Sequence, residues 1–291
     1  MNVTPIQSDF AARVEGLDLR APLDAAIAAS VEAAMDRYGV LVFPGQDIDD
    51  DQQMEFARNF GPIEQTRAVV DAQKQRLKHG AMNDISNLDE KGEILAADDR
   101  RRFFHLGNRL WHSDSSFKAT PAKYSLLHAR SIPPTGGETE FADMRAAWDA
   151  LPAAQQDQLR ELVCDHSLIY SRAQLGFGEF TEAEQRQFAP VPQRLVRRHP
   201  GSGRMSLFLS AHIGRIHGMP VPEALMLLRD LTEHATQPRF VYSHSWAVGD
   251  LVMWDNRCTM HRGRAYDDRH YKRDMRRVTL SDVAPTLEQA A

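Results

Sequence analysis

Residues 249–263 read GDLVMWDNRCTMHRG, and the expected fold follows from this stretch. The apolar run 251–254 is closed by an Asp-Asn pair and continues to His261, which is the pattern of a buried strand, a turn and a second strand. Similar short strands are expected at 123–131, 138–141, 195–199, 206–210, 240–246 and 275–280. Because Gly- and Pro-rich turns separate several of them, we expect a mainly β chain with a sandwich or jelly-roll core.

Helices are expected before this β region and as inserts within it. Helical inserts are predicted at about 145–163 and 221–236, a helix from Asp24 to Gly39 before a strand at 40–43, and a second helix from Asp49 or Asp50 to Gly61-Pro62. The Asp residues can cap helix N-termini, and glycine often ends a helix.

Residues 64–109 lack this regularity, being polar and charged with scattered apolar side chains. A long irregular stretch within a compact domain is often a functional lid. Since the chain has neither an internal repeat nor an evident linker, we expect one domain over 1–291 with a mobile lid within 64–109.

Composition excludes several classes of protein. The net charge of −5 gives no basic surface for nucleic acid, and no stretch approaches the roughly 20 apolar residues of a membrane span. Cys164 and Cys258 lie too far apart for a thiolate zinc motif and predict no disulfide framework. We therefore expect a cytoplasmic protein with neither nucleic acid nor membrane as partner. We also expect a small-molecule substrate and assembly into a homo-oligomer.

A candidate metal site begins at Trp111-His112-Ser113-Asp114. On a strand, His112 and Asp114 would share a face, although a His-x-Asp pair alone is weak evidence. His261 can supply a third ligand, and two histidines with one carboxylate are typical of non-haem Fe(II) oxygenases. A hydrolytic zinc site would usually carry a nearby Glu base, as in H-E-x-x-H, which is absent here.

An anion site is expected in the segment KRDMRRVT at 272–279. Arg273 and Arg277 share parity on a strand, and guanidinium groups suit bidentate capture of carboxylates. Arg276 has the opposite parity, so we expect it on a solvated edge.

The sequence resembles the taurine/2-oxoglutarate-dependent dioxygenase family, and within it the 2,4-dichlorophenoxyacetate (aryloxyalkanoate) branch. The tracts that carry the resemblance lie at 40–46, 56–62, 84–87, 110–117, 136–147 and 249–263. Together they are highly specific, whereas any one alone would not be.

The resemblance implies a double-stranded β-helix holding Fe(II) through His112, Asp114 and His261. It implies 2-oxoglutarate at Arg273, Thr139 and Trp254, and substrate contacts from Asn108, Ser115, His199, His212 and Arg277. With O2, such an enzyme would form succinate and CO2, and would cleave an aryloxyacetate to a phenol and glyoxylate.

Two alternatives stay open: a taurine-like sulfonate or sulfate-ester dioxygenase, and a non-catalytic metal-binding protein of the same fold. Residues 65–80 do not show the His and Tyr that taurine-specific members carry, which disfavours taurine.

Overall fold

The computed structural model describes residues 1–65 and 76–289. The strands are Asn2–Pro5 (β1), Ala12–Glu15 (β2), Val40–Phe43 (β3), Met82–Asp84 (β4), Ala122–Ser131 (β5), Thr139–Asp143 (β6), Val163–His166 (β7), Val191–Arg194 (β8), Val196–Arg198 (β9), Met205–Leu207 (β10), Ile213–Ile216 (β11), Val241–His244 (β12), Leu251–Asp255 (β13), Thr259–Gly263 (β14) and Asp274–Ser281 (β15). The helices are Ala25–Tyr38 (α1), Asp50–Arg58 (α2), Arg100–His105 (α3), Met144–Asp149 (α4), Ala153–Leu159 (α5), Leu168–Ala173 (α6), Glu182–Gln187 (α7) and Val221–Ala235 (α8), with 3₁₀ turns at Leu106–Arg109, Pro238–Phe240 and Thr286–Glu288.

Two sheets form the centre of the fold. A seven-stranded sheet has the order β1-β2-β3-β13-β5-β15-β4, and a three-stranded sheet has the order β12-β6-β14. Val42, Leu127 and Val252 of the large sheet belong to the same buried cluster as Phe141 of the small sheet. The rings of Phe141 and Trp254 lie 5.4 Å apart. The β13–β14 turn connects the two sheets, which confirms the predicted sandwich or jelly-roll core.

The N-terminal unit also follows the sequence pattern. The side chain of Asp24 accepts a hydrogen bond from the Ile27 amide at 2.7 Å, and Gly39 ends α1 in the left-handed region at φ 68°. Asp49 and Gln52 form a reciprocal capping box at the start of α2. These contacts satisfy amides that the first helical turn leaves without partners.

The insert predicted at 145–163 differs in detail from a continuous helix. It contains two short helices, α4 and α5, and Pro152 lies between them at the N-cap of α5. Proline lacks an amide hydrogen and fixes φ, so a single helix cannot run through this position undisturbed. The predicted helix at 221–236 is confirmed as α8.

The stretch 64–109 contains β4, α3 and a 3₁₀ turn in its described part. Strand β4 is an edge strand of the large sheet and pairs with β15, which carries Arg276 and Arg277. Residues 66–75 of the predicted lid lie outside the described residues, and the lid itself stays a prediction. No helix in the described part of the chain has both the length and the apolar character needed to cross a membrane.

Candidate active site

His112, Asp114 and His261 meet at one point beside the β13–β14 turn. The amide of His112 donates to the carbonyl of His261 at 3.0 Å, and the amide of His261 donates back at 2.8 Å. The Nε2 atoms of both histidines lie 3.7 Å from carboxylate oxygens of Asp114. All three side chains are buried, and their donor atoms lie within 4.8 Å of one another.

Asp114 reaches this point through a turn, so the strand parity considered for His112 and Asp114 does not apply beyond His112. Asp114 begins a turn in which Ser115 has a φ of 51°. The amide of Asp114 donates to Oδ1 of Asn256 at 3.1 Å, and the hydroxyl of Ser125 donates to Oδ2 of Asp114 at 2.8 Å. Nδ2 of Asn256 donates to the Ser125 hydroxyl at 3.0 Å, which closes the network. These long-range contacts, rather than strand parity, orient the carboxylate.

The protonation states suit metal binding. Burial lowers the pKa of both His112 and His261, so the two imidazoles are neutral near pH 7. Burial alone would raise the pKa of Asp114, but Arg277 and the two histidines lower it to about 2. Nδ1 of His112 donates to the Leu110 carbonyl at 2.7 Å, which leaves the Nε2 lone pair facing Asp114. Two neutral imidazoles and a carboxylate therefore fit a divalent transition metal.

The first cavity beside this trio, the Arg273 cavity, is lined by Thr139, Trp254 and Arg273 together with both histidines. Arg273 is 9% exposed, and its Nε has no hydrogen-bond partner among the described residues. The Thr139 hydroxyl accepts a hydrogen bond from Trp246 at 3.0 Å. The structure thus brings together the three side chains expected for 2-oxoglutarate.

The second cavity, the Phe117 cavity, lies on the Asp114 side. Asn108, Ser115, His212 and Arg277 line it, as expected for substrate contacts. Its apolar wall includes Phe104, Phe117, Leu168 and Phe188. Nη1 of Arg277 donates to Oδ1 of Asp114 at 2.6 Å. This cavity therefore offers a cation next to the metal trio and aromatic surface farther away.

His199 is the one expected contact that the structure does not bring to either cavity. Its side chain is fully buried, and its Nε2 lies 2.9 Å from the Asp255 carboxylate. Nδ1 of His199 contacts the Ser202 hydroxyl at 2.8 Å. With both ring nitrogens engaged behind the β13–β14 turn, His199 stabilises the turn instead of facing a ligand. We correct the expected substrate contact accordingly.

Arg276 also differs from its expected setting. Strand parity correctly separates it from both cavities, but its side chain is 11% exposed rather than solvated. It forms ion pairs with Asp274, Asp84 and Asp50. Neighbouring acidic residues from β4 and α2 therefore cover the predicted solvated edge.

Several residues of the site were not found by sequence reasoning. They include Arg172, His105, Tyr266, Asn256, Ser125 and the pair Glu64–Lys118. Only Asn256 had a usable signal, because it follows a buried strand at the turn before His261. The others come from segments without a chemical motif.

Comparison with known proteins gives a consistent result. The family model "Taurine catabolism dioxygenase TauD, TfdA family" matches residues 2–279. The alpha-ketoglutarate-dependent 2,4-dichlorophenoxyacetate dioxygenase of Cupriavidus pinatubonensis is 48% identical, over 96% of this chain and 97% of its own. The (S)-phenoxypropionate/alpha-ketoglutarate-dioxygenase of Sphingobium herbicidovorans is 37% identical, over 91% and 90%.

Among solved structures, AAD-2 in complex with Mn(II) and N-oxalylglycine superposes with a TM-score of 0.95 at 56% identity, covering 98% of this chain and 99% of that one. Together with the family match over residues 2–279, this shows that the chain belongs to the TauD/TfdA family of 2-oxoglutarate-dependent dioxygenases.

Proposed function

We propose that this dioxygenase hydroxylates an aryloxyacetate-type acid at the carbon next to the ether oxygen. The hemiacetal formed there would collapse to a phenol and glyoxylate. As a 2-oxoglutarate-dependent enzyme, it uses Fe(II), 2-oxoglutarate and O2, and forms succinate and CO2. The observation that carries the substrate class is the Phe117 cavity, which combines Arg277 beside Asp114 with an aromatic wall.

We assign Fe(II) to His112, Asp114 and His261, whose buried nitrogen and oxygen donors suit that ion. Bound there, Fe(II) would supply the redox chemistry by which O2 is activated together with 2-oxoglutarate. The chain's part is to hold the three donors unprotonated and close together, which burial of the histidines and the charge on Arg277 support.

Arg273 and Thr139 are assigned to the far carboxylate of 2-oxoglutarate. A buried guanidinium with an unpartnered Nε is suited to a charge-assisted bond, and the Thr139 hydroxyl can donate to the same anion. The Trp254 ring lies 4.7 Å from the ring of His261. The Trp254 ring would therefore restrict the co-substrate to the space between the metal ligands and Arg273.

Arg277 is assigned to the carboxylate of the organic acid. Because Arg277 contacts Asp114, an acid held by this guanidinium has its reactive carbon beside the metal site. The phenyl ring would then pack against Phe117 and Phe188, with Asn108, Ser115 and His212 completing the wall. Burial of apolar area contributes about 25 cal/mol per Å² to binding. Taurine has no aromatic ring to bury, so it cannot gain this contribution.

Three further properties belong to this proposal. We propose a single domain over 1–291, a lid within 64–109, and a homo-oligomer working in the cytoplasm.

The cytoplasmic location is supported by the two cysteines, which are buried and free, as is compatible with a reducing compartment. Exposed Val221, Leu225 and Met226 on α8 give apolar surface for contact between copies, which analytical ultracentrifugation tests.

The test of substrate class is a turnover panel with Fe(II), 2-oxoglutarate and O2. Phenoxyacetate, taurine and an alkyl sulfate are compared at matched concentrations, with succinate and phenol measured side by side. We expect phenoxyacetate to give equal amounts of both products. His261→Ala, which removes one proposed ligand, is the control and should give neither. Faster succinate formation with taurine or the alkyl sulfate would replace our assignment with the sulfonate or sulfate-ester alternative.

A further inference from the structure

A second arginine, Arg172 on α6, lines the Phe117 cavity. Its side chain is 6% exposed and lines the cavity together with Arg277 and Asp114. The guanidinium carbon lies 4.4 Å from the centroid of the Phe104 ring. Its charge therefore faces the same space in which we place the substrate.

The guanidinium of Arg172 lacks an acidic partner among the described residues. Its one hydrogen bond there runs from Nη1 to the Ser171 hydroxyl at 3.2 Å, while its Nε is buried without a partner. Two buried arginines outside both cavities are paired: Arg145 with Asp143 at 3.0 Å, and Arg197 with Asp282 at 2.6 Å. A buried charge is normally paired because desolvation is costly. The unpaired state of Arg172 thus points to an anion that is a ligand.

Arg172 also keeps its charge in this setting. Burial and the neighbouring charge of Arg277 lower its pKa to about 10, which leaves it protonated near neutral pH. The positive charges of Arg172 and Arg277 face one cavity and repel each other, and an anion bound between them would offset this repulsion. Their joint presence therefore favours a ligand with a negative group.

The guanidinium of Arg172 packs against Gly107, where only a glycine leaves room for it. A Cβ built on Gly107 would lie 2.1 Å from both Cζ and Nη1 of Arg172, so any larger residue would displace the group. The backbone of the 3₁₀ turn before the metal site thus accommodates the Arg172 head group directly. This close packing defines where the charge stands.

We propose that Arg172 is a second anion-binding residue of the substrate pocket, and that Arg172 and Arg277 together hold the carboxylate of the organic acid. The proposal rests on the function proposed above and extends it by naming a specificity-determining residue. It also predicts that free enzyme carries an uncompensated charge, which the substrate neutralises.

The test compares Arg172→Met with Arg197→Met. Arg197 is also buried, and its guanidinium carbon lies 5.3 Å from the centroid of the Phe208 ring, but it is paired with Asp282 and lines neither cavity. Arg172→Met should raise the KM for phenoxyacetate roughly ten- to a hundredfold while the KM for 2-oxoglutarate stays within twofold. Its Tm should be unchanged or higher, because an unpaired buried charge is removed. Arg197→Met should instead lower Tm and leave both KM values unchanged.

Three results would overturn the proposal: a KM for phenoxyacetate within twofold of wild type, an equal rise in the KM for 2-oxoglutarate, or a Tm loss as large as that of Arg197→Met, failure to fold included. Arg172→Lys keeps the charge without the guanidinium fork and should raise the KM by a smaller factor than Arg172→Met. A KM for Arg172→Lys above that of Arg172→Met would likewise overturn the proposal.

Calorimetric titration with phenoxyacetate separates this proposal from the proposed function. If the wild type binds phenoxyacetate without oxidising it, the proposed function fails, while weaker binding by the variant still supports the role of Arg172. If the wild type does not bind phenoxyacetate, both fail.

Discussion

Replacing His166 by Phe should make the protein markedly less sensitive to acid. His166 lies on β7 with no exposed surface, and its ring stacks on Phe208 at 5.5 Å between centroids. Neither ring nitrogen has a hydrogen-bond partner among the described residues. Burial lowers the pKa of this imidazole from 6.5 to about 3.

The sign follows from proton uptake. Below pH 6.5 the unfolded chain protonates His166, whereas the folded chain does not until about pH 3. The wild type therefore loses stability as the pH falls through this window, and above it the group has no effect. Between pH 7.5 and 5.0 the loss is about 2 kcal/mol from this one residue. Phe cannot be protonated, so His166→Phe should avoid that loss.

The assay is urea unfolding of wild type and variant at pH 7.5 and pH 5.0. At each pH, the difference in unfolding free energy between the variant and wild type is measured. This difference should be about 2 kcal/mol more favourable to the variant at pH 5.0 than at pH 7.5. Any effect of Phe on packing is the same at both pH values and therefore cancels. Ile213→Val is a matched control, since Ile213 is the cross-strand partner of His166 and cannot titrate. It should cost about 1 kcal/mol at both pH values. A difference between His166→Phe and wild type that does not change with pH would refute the reasoning.

Three other predictions concern the site. Asn256→Ala removes the acceptor for the Asp114 amide and should weaken Fe(II) or Mn(II) binding roughly ten- to a hundredfold, measured by anaerobic titration with a circular dichroism control. Arg273→Ala should raise the KM for 2-oxoglutarate by roughly the same factor with little change for the organic acid; equal effects on both would contradict the assignment of the Arg273 cavity. Alanine at His112, Asp114 or His261 should abolish Fe(II)-dependent succinate formation with the far-ultraviolet spectrum retained, and near-normal activity would remove that residue from the ligand set.

The parts of the fold that sequence could predict are those fixed by neighbouring residues. The cap at Asp24, the left-handed Gly39 and the turn between β13 and β14 all depend on local chemistry. The metal trio could also be anticipated, because two histidines and one carboxylate form a ligand set typical of non-haem Fe(II) sites.

What the sequence could not predict depends on contacts between distant segments. Strand parity assigned Asp114 to an extended segment, but bonds from Asn256 and Ser125 hold it in a turn. The buried, unpaired charge of Arg172 could not be inferred. Its sequence neighbours do not reveal whether the folded chain brings an acidic residue to it. His199 was assigned by resemblance alone, and only the tertiary structure reveals its bond to Asp255.

The two cavities have a common wall, which has a thermodynamic consequence. Ile85, His105, Asn108, His112 and Arg277 line both of them. If one ligand shifts any of these side chains and so changes the affinity for the other, linkage requires the second ligand to change the affinity for the first by the same factor. Titrations of each ligand in the presence and absence of the other should therefore close a thermodynamic cycle. A substitution in the common wall should alter the coupling free energy between the ligands, even where each ligand alone binds normally.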